Sequence, residues 1–382
     1  MSAVYAAPHA FGGIGIVKRL VATLACCALC VSAWTQDAKP SKGAPADEVK
    51  IPYPDWLFPI DEEALKAAKT AAKAAANAAA KPAPKEVPKK TAPKQDAAEQ
   101  PRPEDAELLT IPDSDQKFTA ARIGDPYNPP DWFPADHGPM PDIVANGRKP
   151  KITACAFCHT PTGAGRPENS ALAGLPEAYI KEQLEDFRSG KRSPVGPEDY
   201  LPARGMHAVA AAMSDEEIDE SAKYFSQLKL ARRHYVAEAI NIPRAEPAAW
   251  IYKEVGGSED LGERLLEVAP DITRHERRDP RMQYTVYVPP GSLARGKLLA
   301  TTGDKGRTQI CSTCHLAKLE GTDKIPPIAG RSPTYLLRQL LAFKNGARDN
   351  EAAKQMDAVV EKLELEDMVA LAAWVGSLYP PR

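Results

Sequence analysis

Apolar positions recur at helical spacing in two separate stretches of the chain, and the two stretches resemble each other. In the first, the spacing predicts a helix over Glu177–Ser189 and another starting near Asp215, where Ile218, Ala222, Phe225 and Leu228 form one stripe. Ser214 followed three residues on by Glu217 has the form of a capping box, which sets that helix's start. In the second, Tyr335, Leu336, Leu340 and Phe343 stripe a helix over Thr334–Asn345. A last helix carries Met368, Leu371, Ala372, Val375 and Leu378. A shorter helix is expected ahead of each pair, over Pro141–Asn146 and Ser292–Thr301, with Ser292 as cap of the second.

Two other stretches follow different rules. Tyr235–Ile242 and Gln283–Val288 alternate apolar and polar residues, which predicts two strands pairing as a small hairpin-like sheet. Residues 35–120 hold proline-rich pieces around an Ala/Lys run, Ala64 to Lys81, with high helix propensity but almost no apolar face. Such a run cannot bury itself, so a largely disordered spacer is expected there.

The likeness of the two helical stretches is a repeat. Laying Cys155 on Cys311 brings Gly165 onto Gly321, Ala173-Gly174 onto Ala329-Gly330 and Tyr179 onto Tyr335. Gln183-Leu184 then falls on Gln339-Leu340, Phe187 on Phe343, Gly190 on Gly346 and Arg192 on Arg348. Beyond this the second copy is six residues shorter, after which Met206 falls on Met356, Met213 on Leu363 and Leu228 on Leu378. A repeat of this length means two copies of one domain, not a solenoid of small units.

Composition changes the picture in two places. Of 382 residues 37 are proline, concentrated towards the N-terminus, which argues against a packed core throughout that region. The formal net charge of −2 gives no reason to expect nucleic acid as a partner. Lys18 and Arg19, the apolar run Leu20 to Val31 and the small residues of Val31-Ser32-Ala33 read as an export signal cleaved before Trp34. The apolar run is short of the ~20 residues a spanning helix needs.

Cleavage there removes Cys26, Cys27 and Cys30, leaving Cys155, Cys158, Cys311 and Cys314. Both pairs stand in Cys-x-x-Cys-His, with His159 and His315 closing the motifs. Two cysteines three positions apart can each form a thioether with one of the two vinyl groups of a porphyrin, and the adjacent histidine is then held beneath the iron. The pattern is therefore a haem c attachment site, and it occurs at equivalent points of the repeat. A redox dithiol and a zinc site are the other chemistries open to a Cys-x-x-Cys pair.

The sixth iron ligand separates a carrier from a catalyst, since methionine opposite histidine closes the iron and raises its potential. Met206 and Met356 occupy matching places in both copies, in polar, loop-like surroundings, and are the candidate axial ligands. Met213 and Met368 read as packing. His207, beside Met206, is the alternative ligand; its counterpart is Asp357, so the second copy does not share it. His137, His234 and His275 lie in polar segments and are read as exposed. Tyr179/Tyr335 and Arg192/Arg348 recur in both copies and could line the haem or bind its propionates, or serve helix packing and surface charge.

At these residues the chain resembles the class I cytochromes c, especially the periplasmic tandem dihaem kind. The resemblance is carried by Cys155-Ala156-Phe157-Cys158-His159, by Leu172-Ala173-Gly174, by Tyr179 through Gln183-Leu184 to Phe187-Arg188-Ser189-Gly190, and by Met206 ahead of Met213-Ser214-Asp215-Glu216-Glu217-Ile218. In the second copy it runs through Pro327-Ile328-Ala329-Gly330 to Met356; together the copies span about 140–228 and 291–379. It implies an all-α fold of two tandem class I domains, with two covalent haem c groups. The expected layout is a signal peptide (1–33), a disordered spacer (34–120), domain 1 (121–230), a small irregular, hairpin-containing insert (231–290) and domain 2 (291–382). The function it implies is single-electron carriage in the periplasm, with a membrane respiratory complex, terminal oxidase or periplasmic dehydrogenase as redox partner and no small-molecule substrate. The alternatives are a permanent cytochrome subunit of a dehydrogenase or oxidase, and a dihaem peroxidase-like enzyme with one catalytic haem.

Overall fold

The computed structural model describes residues 51–63, 65, 66, 70, 107–248 and 250–381. The expected signal peptide and most of the Ala/Lys run lie outside the described residues.

A small platform precedes the first copy. β1 (Leu108–Leu109) and β2 (Phe118–Thr119) pair antiparallel, and α1 (Ala120–Gly124) follows with Thr119 as its cap. Ile111, Ile123, Trp132 and Phe133 form its core, and the Trp132 indole donates to the Arg277 carbonyl at 2.7 Å.

The first copy comprises α2 (Asp142–Ala145), α3 (Cys155–His159), α4 (Glu177–Ser189), α5 (Gly205–Ala212) and α6 (Asp215–Ser226). The predicted capping box is formed: Glu217 N donates to Ser214 Oγ at 3.2 Å, and Ser214 N to a Glu217 carboxylate oxygen at 2.7 Å. Ile180 and Leu184 of α4 meet Ile218, Ala222 and Phe225 of α6, so the predicted stripes face one core. α5 is a difference from expectation: Met206 sits in the first turn of a helix, not in a loop.

The stretch joining the copies is more than a hairpin, and it corrects the all-α expectation. β3 (His234–Glu238), β4 (Asn241–Ala248), β5 (Ile251–Asp260) and β6 (Leu266–Ala269) precede α7 (Ile272–Glu276), and β7 (Tyr284–Val288) follows it. They form one five-stranded sheet in the order β3-β7-β6-β5-β4. The two segments predicted as partners do pair, but in parallel, His234 opposite Tyr284, which needs the long crossover that the other strands supply. Val286 and Val288 carry the sheet onto the core of the second copy.

The second copy holds α8 (Ser292–Thr302), α9 (Ser312–His315), α10 (Pro333–Lys344), α11 (Asp357–Val360) and α12 (Leu365–Ser377). Ser292 is not the cap of α8. Gly291, in the left-handed region at φ 89°, takes that place. At Gly296 α8 lies so close to α12 that a Cβ would overlap the Ala370 carbonyl. Met368 is fully buried and Met213 nearly so, as packing residues.

Part of the expected spacer is packed. Leu57 and Phe58 are 1% and 2% exposed, joined to the core of the second copy and to Tyr200 of the first. Arg338 donates to the Leu57 carbonyl, Tyr252 OH to the Trp56 carbonyl at 2.9 Å, and Asn345 exchanges hydrogen bonds with both backbone groups of Ile51. The proline-rich sequence Ile51–Ile60 gives these residues no helix or strand period, and they dock as an irregular strap with one 3-10 turn at Asp55–Leu57.

Candidate haem sites

In the first copy one turn of helix holds the motif. Cys155, Cys158 and His159 line a cleft that encloses about 1470 Å³ of atom-free space, part of it open to solvent. The His159 ring is buried, and its Nδ1 lies 2.8 Å from the Ser170 carbonyl. A carbonyl can only accept, so Nδ1 carries the proton and the lone pair is left on Nε2, the nitrogen an iron would need. Burial also pushes the His159 pKa down, favouring the neutral ring.

The second copy repeats this construction. His315 Nδ1 lies 2.9 Å from the Pro326 carbonyl, the repeat partner of Ser170. Both helices end on a left-handed residue, Thr160 at φ 60° and Leu316 at φ 65°, conformations uncommon outside glycine. Gly165 N bonds the His159 carbonyl and Gly321 N the His315 carbonyl, each at 2.9 Å. The loop beyond is tied to the last helix in both copies, Gly174 N to Phe225 O and Gly330 N to Val375 O.

Burial raises the Cys155 thiol to about 12 and the Cys311 thiol to about 11, opposite to the lowered values of reactive Cys-x-x-Cys pairs. No group of three or more His, Cys, Asp or Glu positioned for a metal ion occurs among the described residues, so a zinc site has no support there.

Met206 and Met213 both line the first cleft, Met213 as part of the core behind it. His207 is not part of that lining; its ring packs edge-on against Phe187, centroids 5.1 Å apart. Met356 closes a 3-10 turn (Ala353–Met356) and is half-buried. The other histidines depart from expectation: His234 is 4% exposed and His275 fully buried, with His234 on Glu267 at 2.5 Å and His275 on Tyr284 at 3.1 Å. His137 is half-buried on Asp131.

The recurring tyrosines, glutamines and arginines meet between the copies. Arg192 donates to Tyr335 OH at 3.2 Å and Gln339 Oε1 at 2.9 Å, while Arg348 donates to Tyr179 OH at 3.2 Å and Gln183 Oε1 at 2.7 Å. Each arginine also bonds its own copy's glutamine, Arg192 to Gln183 at 2.9 Å and Arg348 to Gln339 at 3.2 Å. The arrangement has the form of a local two-fold axis, and these residues line the first cleft. Burial alone would raise the Tyr335 phenol, but the two guanidiniums outweigh it and hold its pKa at about 8.

These residues fit haem. The cleft is lined mainly by apolar groups, its histidine presents the right nitrogen, and two buried guanidiniums bonded to neutral oxygens can receive propionate carboxylates. The recurrence of a polar glutamine on the helical stripe of both copies was the sequence signal for this network. No comparable signal marked Arg338 or the strap.

Comparison with known proteins agrees. The family model for cytochrome c matches residues 144–229. A cytochrome c-553 of Helicobacter pylori is 35% identical over 24% of this chain and 96% of its own length. A protein named thiosulfate dehydrogenase electron acceptor, from Stutzerimonas stutzeri, is 27% identical over 61% of this chain and 82% of its own. Cytochrome c4 of Azotobacter vinelandii is 24% identical over 60% and 86%. The chain belongs to the cytochrome c family. It is an electron-transfer protein of the tandem dihaem class I type, with two covalently attached haem c groups.

Proposed function

We propose that this protein is a periplasmic carrier that accepts single electrons from a dehydrogenase and passes them to a respiratory complex or oxidase. In this reading Cys155 and Cys158 attach one haem and Cys311 and Cys314 the other. His159 and Met206 ligate the first iron, His315 and Met356 the second. The domains run over 121–230 and 291–382, with the sheet-bearing insert between them and the strap of residues 51–60 across both. The observation that carries it is the reciprocal Arg192/Arg348 network, which supports two haem sites facing one another closely enough to share electrons. The dehydrogenase side is favoured by the relatives named as electron acceptors of thiosulfate dehydrogenase, in Stutzerimonas stutzeri and Thiomonas intermedia.

The residues of the chain do the holding: histidines fix ring orientation through carbonyls, apolar helices keep water away, and arginines offset propionate charge. Haem, when bound, supplies the one-electron chemistry of its iron. A spectroelectrochemical titration tests the reading. Two one-electron steps per chain without ligand exchange support it, and turnover of peroxide at one iron contradicts it.

A further inference from the structure

The two motifs are alike in backbone and unlike in exposure. Ala154 and Ala156 are 1% exposed, whereas their repeat partners are Ile310, at 38%, and Ser312, exposed. Cys158 is half-buried and Cys314 exposed. Thr160 is 1% exposed and Leu316 is 42%. Because both cysteines bond one edge of a porphyrin, exposure of the cysteine run reports exposure of that edge.

The cover over the first motif comes from outside the repeat. Arg278, beyond α7, lies 3.5 Å over the Phe157 ring; its Nη1 donates to the Phe157 carbonyl at 2.6 Å and its Nε to the Ile123 carbonyl at 3.1 Å. Ala154 N bonds the Pro126 carbonyl at 2.9 Å, and Arg233 Nη1 bonds the carbonyls of Ala164 and Gly165 at 2.9 and 2.8 Å. The insert and the platform thus close over one motif.

Charge follows exposure. Around the open motif, in residues 297–324, Lys297, Lys305, Lys318 and Lys324 are exposed, against Asp323 as the exposed acid. Asp304 is paired with Arg295 and Arg307 with Asp367, while half-buried Glu320 accepts from Lys318 N and keeps its charge, so the segment carries five cations against three carboxylates. Ile310 and Leu316 are thus exposed apolar residues in a segment with an excess of cations, on a chain whose formal net charge is −2.

We propose that electrons enter and leave through the second domain alone, by docking of a redox protein with an acidic face, and that the first haem exchanges electrons only with the second. This rests on both haems being electron-transfer centres. One electron leaves the partner's reduced centre and reduces the ferric iron of domain 2; no atom or proton need move.

Two measurements test it. In NMR spectra of the holoprotein, hexacyanochromate(III) should broaden the haem methyl resonances of domain 2 and spare those of domain 1; equal broadening would overturn the proposal. This readout does not depend on which ligands hold the irons, so it fails separately from the carrier reading. In stopped-flow reduction by flavodoxin, a small acidic electron donor, K318E/K324E and L316E should each lower the rate relative to that with neutral hydroquinone by about tenfold or more. An unchanged ratio would overturn it. So would K318E/K324E-sensitive binding to phosphatidylglycerol vesicles with unchanged flavodoxin kinetics, which would assign the lysines to a membrane surface.

Discussion

Arg192 and Arg348 stand opposite one another as a backbone bridge between the two copies, and each guanidinium reaches the tyrosine and glutamine of the other. A residue of one domain therefore helps build the site of its twin. Ser193 N to Ala347 O and Asp349 N to Lys191 O, both 2.7 Å, extend the bridge on either side.

Removing one arginine should disturb both domains. Arg192→Ala removes the arginine donor to Tyr335 and one of the two to Gln339, and should cost about 2 kcal/mol, as for a buried charged hydrogen bond. Arg348→Ala should cost a similar amount, and the double variant more than the sum, because Gln183 and Gln339 each keep one arginine donor in either single variant and none in the double. Denaturant unfolding of the four proteins measures this. Loss of either positive charge should also lower the potentials of both haems, since the oxidised iron carries the greater charge.

Glu267 joins the sheet to the second copy. Its carboxylate bonds His234, Ser332 Oγ at 2.7 Å and Thr334 N at 3.3 Å, at the start of α10. Burial alone would raise its pKa, but these donors outweigh burial and hold it below the usual 4.5. The stability it contributes is present above about pH 4.5 and is lost as pH falls through the lowered folded value. Glu267→Gln should cost about 3 kcal/mol at pH 7, and its deficit against the parent should shrink in acid. Unfolding curves at pH 7 and pH 3.5 report both.

Phe58 packs edge-on against Tyr53 and Tyr200, and Arg338 lies over its ring. Phe58→Ala should cost about 3–4 kcal/mol, the loss expected for a fully buried aromatic side chain. Limited proteolysis should then cut near residues 51–60, which the parent protein protects.

Gly296 is required by close helix approach. Gly296→Val should destabilise the second domain by more than about 2 kcal/mol through overpacking against α12, while the first domain keeps its transition. Domain-resolved haem absorbance during thermal unfolding separates the two.

What the sequence disclosed follows from how local each signal is. The Cys-x-x-Cys-His runs, the Ser214–Glu217 cap and the stripes of α4, α6, α10 and α12 are set within a few residues, and all were legible. Comparing the copies added the matched Met206 and Met356 and the recurring Arg192 and Arg348. The sheet was only half visible because β3 and β7 pair in parallel across the whole insert, with no turn signal between them. His234 and His275 looked exposed because their neighbours are polar, yet Glu267 and Tyr284 receive them in the interior. The strap was illegible because Leu57 and Phe58 follow no period and depend on contacts with Tyr200 and Arg338, far away in sequence.

The central claim is that both irons are closed by methionine. The oxidised protein should show the long-wavelength methionine–ferric charge-transfer band at an intensity for two haems per chain. Met206→Ala and Met356→Ala should each remove half of it. High-spin iron in either domain of the parent protein, or a band unchanged by one of these substitutions, would contradict the account.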